Sequence, residues 1–126
     1  MNIKDYKVGQ NVYIRLTGNA GRGKTGEDLI EEWEVLSVGR KLIKAKRKGW
    51  RDYSAISFEQ KESGYNGQFV EKTNTCVNYI MYESREAIEN DLERESLLRK
   101  VSNYFNSYGE KKISLESLRI IAELIN

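Results

Sequence analysis

The stretch GNAGRGKT, Gly18 to Thr25, matches G-x-x-x-x-G-K-[ST] at every fixed place. That pattern belongs to phosphate-binding loops. Its glycines let successive N–H groups curl round phosphate oxygens, its lysine reaches the β- and γ-phosphates, and its hydroxyl ligates magnesium. Lys24 and Thr25 would take the last two roles here. The chemistry requires a parallel-sheet strand before the loop and a helix after it. VYIRLTG, ahead of the loop, reads as a strand. Behind it, Leu29, Ile30, Trp33 and Leu36 fit one helix face, yet Trp33, Val35 and Ser37 alternate as a strand. The hairpin signal that follows at Gly39-Arg40 leaves no room for a long helix, and no repeated β-α units come after it. The loop is therefore expected to join antiparallel strands. Arg22 and Lys24 remain as anion contacts on glycine backbone, and an NTP site through Gly18–Thr25 is the third-ranked reading of the chain.

A second stretch, RKLIKAKRKGWR, packs seven cations into twelve residues: Arg40, Lys41, Lys44, Lys46, Arg47, Lys48 and Arg51. On a strand, Lys44 and Lys46 share a face, with Trp50 and Tyr53 close in sequence. Cations beside aromatic rings suit nucleic acid, because they combine phosphate neutralisation with base stacking. The bland alternative is a strand kept soluble by lysines, which also protect sheet edges. Glu86, Glu89, Asp91 and Glu93 form an acidic stretch further on. An acidic helix can imitate a phosphate backbone or dock in a basic protein groove, and it can equally be a solvated face. Glu31, Glu32 and Glu34 give no acid/base pair by adjacency alone; alternation puts Glu32 and Glu34 together, facing solvent.

Composition narrows the chemistry. The 126 residues contain no histidine, one cysteine and no proline. The usual general base and the commonest metal ligand are thus missing, and no catalytic residues, metal site or cofactor are expected. Cys76, with no histidine to activate it, is expected to be an inert, partly buried thiol. No apolar run approaches the ~20 residues that span a bilayer, so no membrane partner is expected. Without a signal peptide, the expected location is the cytoplasm, that of the host cell if a phage encodes the chain. The net charge of +2 is small for a dedicated DNA-coating protein. It is unevenly spread: residues 1–76 hold 14 cations and 10 anions, residues 77–126 hold 7 and 9.

The elements that must position these groups fall into two kinds. Residues 1–83 read as an antiparallel domain, a small β-barrel or curved sheet of about five strands. Turns are expected at Gly9-Gln10, at Gly39-Arg40 in type II′ form with Gly39 at positive φ, and at Asn66-Gly67. The meander is expected to continue through Tyr53, Ile56 and Phe58. Residues 84–126 read as a helical C-terminal hairpin packed on that domain, giving an α+β fold with two C-terminal α-helices. Ser84 caps a helix to about Phe105, and its two apolar faces are out of line, so a bend or break between them is expected. A break follows around Gly109. Ser114 caps the last helix, with Ile113 placed as a hydrophobic staple on Leu118. Tyr79, Tyr82, Tyr104 and Tyr108 flank the first helix, as its packing edge or as an exposed contact surface, with packing the expected role.

KVGQNVYIRL, EEWEVLSVGRKLIKAKR and the closing ISLESLRIIAELI together resemble small barrel proteins with a helical tail encoded by phages and prophages of Gram-positive hosts. The resemblance implies an accessory protein that acts on the host, in its sharpest form an anti-CRISPR-like inhibitor of a nuclease complex. It implies a host protein or nucleoprotein partner, possible direct contact with nucleic acid, and no enzymatic activity. The alternative is a small-barrel nucleic-acid-binding protein using Arg40–Arg51.

Overall fold

The computed structural model describes residues 2–106 and 114–125. The chain divides into two units, Met1–Asn90 and Asp91–Asn126. The first is built on six antiparallel strands: β1 (Asn11–Leu16), β2 (Ile30–Val38), β3 (Leu42–Arg47), β4 (Ile56–Lys61), β5 (Gln68–Glu71) and β6 (Tyr79–Tyr82). They pair in sequence order, and β1 also pairs with β6, so the sheet closes into a barrel. Closure leaves no unpaired sheet edge, which is how so small an all-antiparallel sheet avoids templating aggregation.

Alternation decides what fills the barrel. Val12, Ile14 and Leu16 of β1 point inward with Trp33 and Val35 of β2, Ile43 and Ala45 of β3, Phe58, Phe69 and Met81. Large and small side chains offset one another: Ala45 lies opposite Val35, beside the wide Trp33 indole. Trp33 meets Phe58 edge-on at 6.1 Å and Tyr79 at 5.1 Å between ring centroids. Tyr6 closes the other end against Phe69, also edge-on, at 5.3 Å. A second set of buried apolar side chains, Ile30, Val70, Ile80, Tyr82 and Ile88, lies outside this interior cluster. Val70 is opposite Ile80, Ile80 opposite Arg15, and Arg15 opposite Ile30, so these form one row across the outer surface of four strands. Ile88, in the second turn of α1 (Arg85–Asn106), is buried too.

Several local expectations hold. Gly9, at φ +85°, sits in a turn closed by the Gln10 N–H on the Lys7 carbonyl. Asn66 and Gly67 both take positive φ between β4 and β5. Ser84 Oγ accepts the Ala87 N–H and caps α1. Ser114 Oγ accepts the Ser117 N–H and caps α2 (Leu115–Ile125). The expected barrel is present, with six strands, QFVE forming β5 and YIMY a separate β6. Other expectations are corrected. The β2–β3 connection is a three-residue loop, Gly39–Lys41, closed by the Gly39 N–H on the Leu42 carbonyl, and Gly39 is not at positive φ. A register shift between Val35 and Ser37 absorbs the odd residue. Tyr53 is in a short 3-10 turn, Asp52–Ser54, instead of a strand. Helix α1 runs unbroken for 22 residues. Its apolar faces diverge because Leu97, Leu98 and Val101 stay exposed while Ile88 is buried. Gly109, Tyr108 and the Ile113 staple lie outside the described residues.

Burial gives the barrel an alkaline limit. Burial first, then the charges of Glu83 and Asp5, push the Tyr6 phenol up to about 12. Above pH 10 the unfolded chain releases this proton and the folded chain retains it, so stability falls with rising pH from about 10 to 12. A shift of that size corresponds to about 2–3 kcal/mol. Thermal unfolding followed from pH 9 to 12 should show that loss, and Tyr6→Phe should flatten it.

Candidate functional site

Folding β3 back on β2 sets the character of the basic segment. The register places Glu34 opposite Lys46 and Trp33 opposite Arg47. The acidic run of β2 therefore faces the basic run of β3, and three of the seven cations are held in ion pairs. Lys46 Nζ is 3.5 Å from Glu34 and 2.8 Å from Asp52, Arg47 Nε is 2.9 Å from Glu31, and Lys48 Nζ is 3.1 Å from Glu32. The solvated Glu32 and Glu34 of the sequence reading are thus partners of the hairpin lysines. Among the described residues, Arg40, Lys41, Lys44 and Arg51 make no ion pair and are exposed.

Arg47 organises one end of the barrel. It continues the inward phase of Ile43 and Ala45, but the strand ends there and its guanidinium lies across the rim. Its Cζ is 5.2 Å from the Trp33 ring, 5.9 Å from Tyr79 and 4.7 Å from Trp50, each within cation–π range. Glu31 accepts both the Arg47 Nε–H and, at 3.0 Å, the Trp33 Nε1–H. Burial works against the Arg47 charge, yet hydrogen bonding and attraction to Glu31 outweigh it and hold the guanidinium above its ordinary pKa. Lys46 is likewise raised, chiefly by its hydrogen bond to Asp52, and it also donates to the Trp50 carbonyl at 2.8 Å. The loop carrying Trp50 is therefore tied at its ring by Arg47 and at its backbone by Lys46. The Trp50 ring itself remains 54% exposed, and Tyr53, one short turn on, is 84% exposed. The exposed Trp50 and Tyr53 rings stand in water, with Arg51 between them in sequence and Lys48 two residues before Trp50.

The glycine-rich loop leaves the same end of the barrel, since it links the end of β1 to the start of β2. Those strands are antiparallel, and only a short 3-10 turn, Gly26–Leu29, precedes β2. The N–H groups of Asn19 and Ala20 both donate to the Asn78 Oδ1, and Thr17 Oγ1 donates to the Val77 carbonyl. The N–H groups of Gly21, Arg22 and Lys24 go to carbonyls within the loop and at Thr17. At these five positions no N–H is turned outward to cradle a phosphate. Gly18 serves the docking: at φ +52°, a Cβ there would stand 2.7 Å from Cys76 Sγ and 2.9 Å from the Val77 carbonyl. Cys76 is exposed, contrary to the partly buried thiol expected, because the segment before β6 rides over this loop at the surface. Arg22 and Lys24 are exposed.

The acidic helix residues are on α1. Glu86, Glu89 and Glu93 are exposed, and Asp91 is half-buried. Glu89 is already engaged by Arg85 one turn before it, at 3.2 Å. Sequence reasoning missed Tyr79 as part of the Arg47 cluster and missed the β2–β3 ion ladder. Equal steps outward from a Gly39-Arg40 turn would set Glu34 opposite Ala45; the three-residue loop and the shift between Val35 and Ser37 bring it to Lys46 instead. No group of three acidic or cysteine side chains among the described residues is arranged to hold a metal ion. No helix of the described residues is long and apolar enough to cross a membrane.

A family model described as Phage ProQ C-terminal-like domain matches residues 1–126. No curated protein and no solved structure matches the chain.

Proposed function

The chain belongs to the Phage ProQ C-terminal-like domain family, as a small phage-type barrel protein, and from that premise we propose that it acts by binding single-stranded nucleic acid and not by catalysis. The observation that carries this reading is the pair of exposed aromatic rings Trp50 and Tyr53, with Trp50 held by Arg47 at a barrel rim. Bases stack on exposed aromatic faces irrespective of sequence. Arg51, Lys44, Arg22 and Lys24 supply unpaired charge for phosphates. Arg47 and Lys46 are spent on holding the platform, so they position Trp50 and are not phosphate contacts.

Fluorescence anisotropy with a labelled deca-uridylate at 50 mM salt tests the reading. Trp50→Ala should weaken binding about tenfold, given the ~1–3 kcal/mol a stacked base contributes. Affinity should fall steeply with added salt. No binding by the parent protein at low salt overturns the proposal.

A second reading, an anti-CRISPR-like inhibitor of a host nuclease complex, is favoured by a different observation. Helix α1 presents exposed Glu86, Glu89 and Glu93 in its first half and exposed Leu97, Leu98 and Val101 in its second. Acidic and apolar surface on one long helix suits a basic groove on a protein. Added to a purified CRISPR nuclease, the protein should then block DNA cleavage, and Glu86→Lys with Glu93→Lys should restore it. Undiminished cleavage at excess protein removes this reading.

A further inference from the structure

At the far end of β3 from Trp50, beside the Gly39–Lys41 loop, the barrel surface holds a cleft of about 420 Å³. Its walls carry Arg40, Lys41 and Lys72, and its apolar lining comes from Ile3, Leu42 and Phe69. Glu59, opposite Leu42 across β3–β4, supplies the one carboxylate in the lining. None of the three cations is in an ion pair among the described residues. Three such cations over an apolar lining, in a cleft of the size that holds small ligands, describe a site for an amphipathic organic anion.

Between the cleft and the Trp50 loop, at the two ends of β3, stands one exposed cation of the strand. Lys44 points outward midway along β3, opposite Ser57 of β4. The Lys72 N–H donates to the Ser57 carbonyl at 2.9 Å, so Lys72 extends the same cross-strand row. Unpaired cations therefore follow one path: Arg51, then Lys44 with Lys72, then Arg40 and Lys41. Six residues of strand separate the ends, about 20 Å at ~3.3 Å per residue. That is a span for a short run of nucleotides, within the ~4–16 nucleotides a small barrel covers.

We propose that this cleft is a nucleotide subsite, holding one base of a strand whose backbone follows β3 to the Trp50–Tyr53 platform. The proposal rests on the nucleic-acid reading above and deepens it. The phosphates lie on Arg40, Lys41 and Lys72. The base lies against Ile3 and Leu42, over the buried Phe69. Glu59 repels a phosphate and accepts a hydrogen bond from an exocyclic amino group, so the subsite favours cytosine, adenine or guanine over uracil.

Anisotropy with labelled deca-cytidylate and deca-uridylate on the full chain tests this. Expected is tighter binding of the cytidylate, a roughly tenfold loss with Lys72→Glu or Arg40→Glu, and disappearance of the cytidylate preference with Glu59→Gln. Circular dichroism should show all three variants folded, since these side chains are at the surface. If the parent binds neither oligonucleotide, the subsite falls together with the nucleic-acid reading. If the parent binds, Trp50→Ala weakens it, and the cleft variants do not, the subsite alone is overturned. An equal loss with Arg99→Glu, a charge reversal on α1 and outside the cleft lining, also overturns it. So does binding of labelled deca-glutamate with the same affinity and the same sensitivity to Lys72→Glu, which would make the site one for acidic peptide.

Discussion

Trp33→Ala is expected to cost about 4 kcal/mol of stability, inside the ~3–5 kcal/mol range for truncation of buried aromatic side chains. Trp33 is the largest side chain in the interior and only 1% exposed. Its removal opens a cavity bounded by Phe58 and Tyr79 and takes away the indole N–H that Glu31 accepts. It also removes one of the three rings that hold the Arg47 guanidinium. Small domains have only ~5–15 kcal/mol in total, so this one change removes a large share. Urea unfolding should show a lower midpoint with an unchanged slope. Trp33→Phe keeps most of the packing and loses only the indole ring edge and its hydrogen bond, so it should cost markedly less. The functional consequence follows from Arg47. With Trp33 truncated, the guanidinium loses its inner support, Trp50 loses its fixed seat, and oligonucleotide binding should weaken even where the protein remains folded. A loss below about 1 kcal/mol would mean that Trp33 does not organise the interior.

The barrel was legible because period-2 alternation and turn chemistry agreed. Val12 and Ile14 alternate with polar neighbours, and Gly9 and Asn66-Gly67 take the positive φ their residue types allow. The closure of β1 on β6 was not legible, since Arg15 opposite Ile80 is a non-local pairing with no local signature. The GNAGRGKT match shows the reverse case. Eight residues satisfied a pattern, but Asn78, some sixty positions away, occupies the N–H groups that the pattern would need. The basic segment was visible as composition and misjudged as charge. Seven cations read as a strong patch, while the glutamates of β2 reduce it to four unpaired groups plus a positioned tryptophan. Lys72 escaped notice for the same reason: only the β4–β5 pairing brings it alongside Lys44.

That ladder makes a directional prediction in which removing carboxylates strengthens binding. Glu32→Gln with Glu34→Gln leaves Glu31, and hence Arg47 and Trp33, undisturbed. It removes the Glu32 partner of Lys48 and the Glu34 partner of Lys46, while Lys46 keeps Asp52. The Lys48–Glu32 pair is solvent-exposed, so its loss should cost less than about 1 kcal/mol of stability. Removal of Glu32 frees Lys48 for a phosphate, while Lys46 stays paired with Asp52. On single-stranded nucleic acid each added phosphate contact steepens the dependence of log K on log salt by ~0.7, so the double variant should steepen it by about 0.7. At 50 mM salt the affinity for deca-cytidylate should rise by several-fold. The same substitutions leave the surface of α1 untouched, so an inhibitor that docks through that helix would be indifferent to them. Unchanged affinity and unchanged salt slope would place the nucleic acid elsewhere than along β3, since a strand on that face cannot fail to sense the freed lysine.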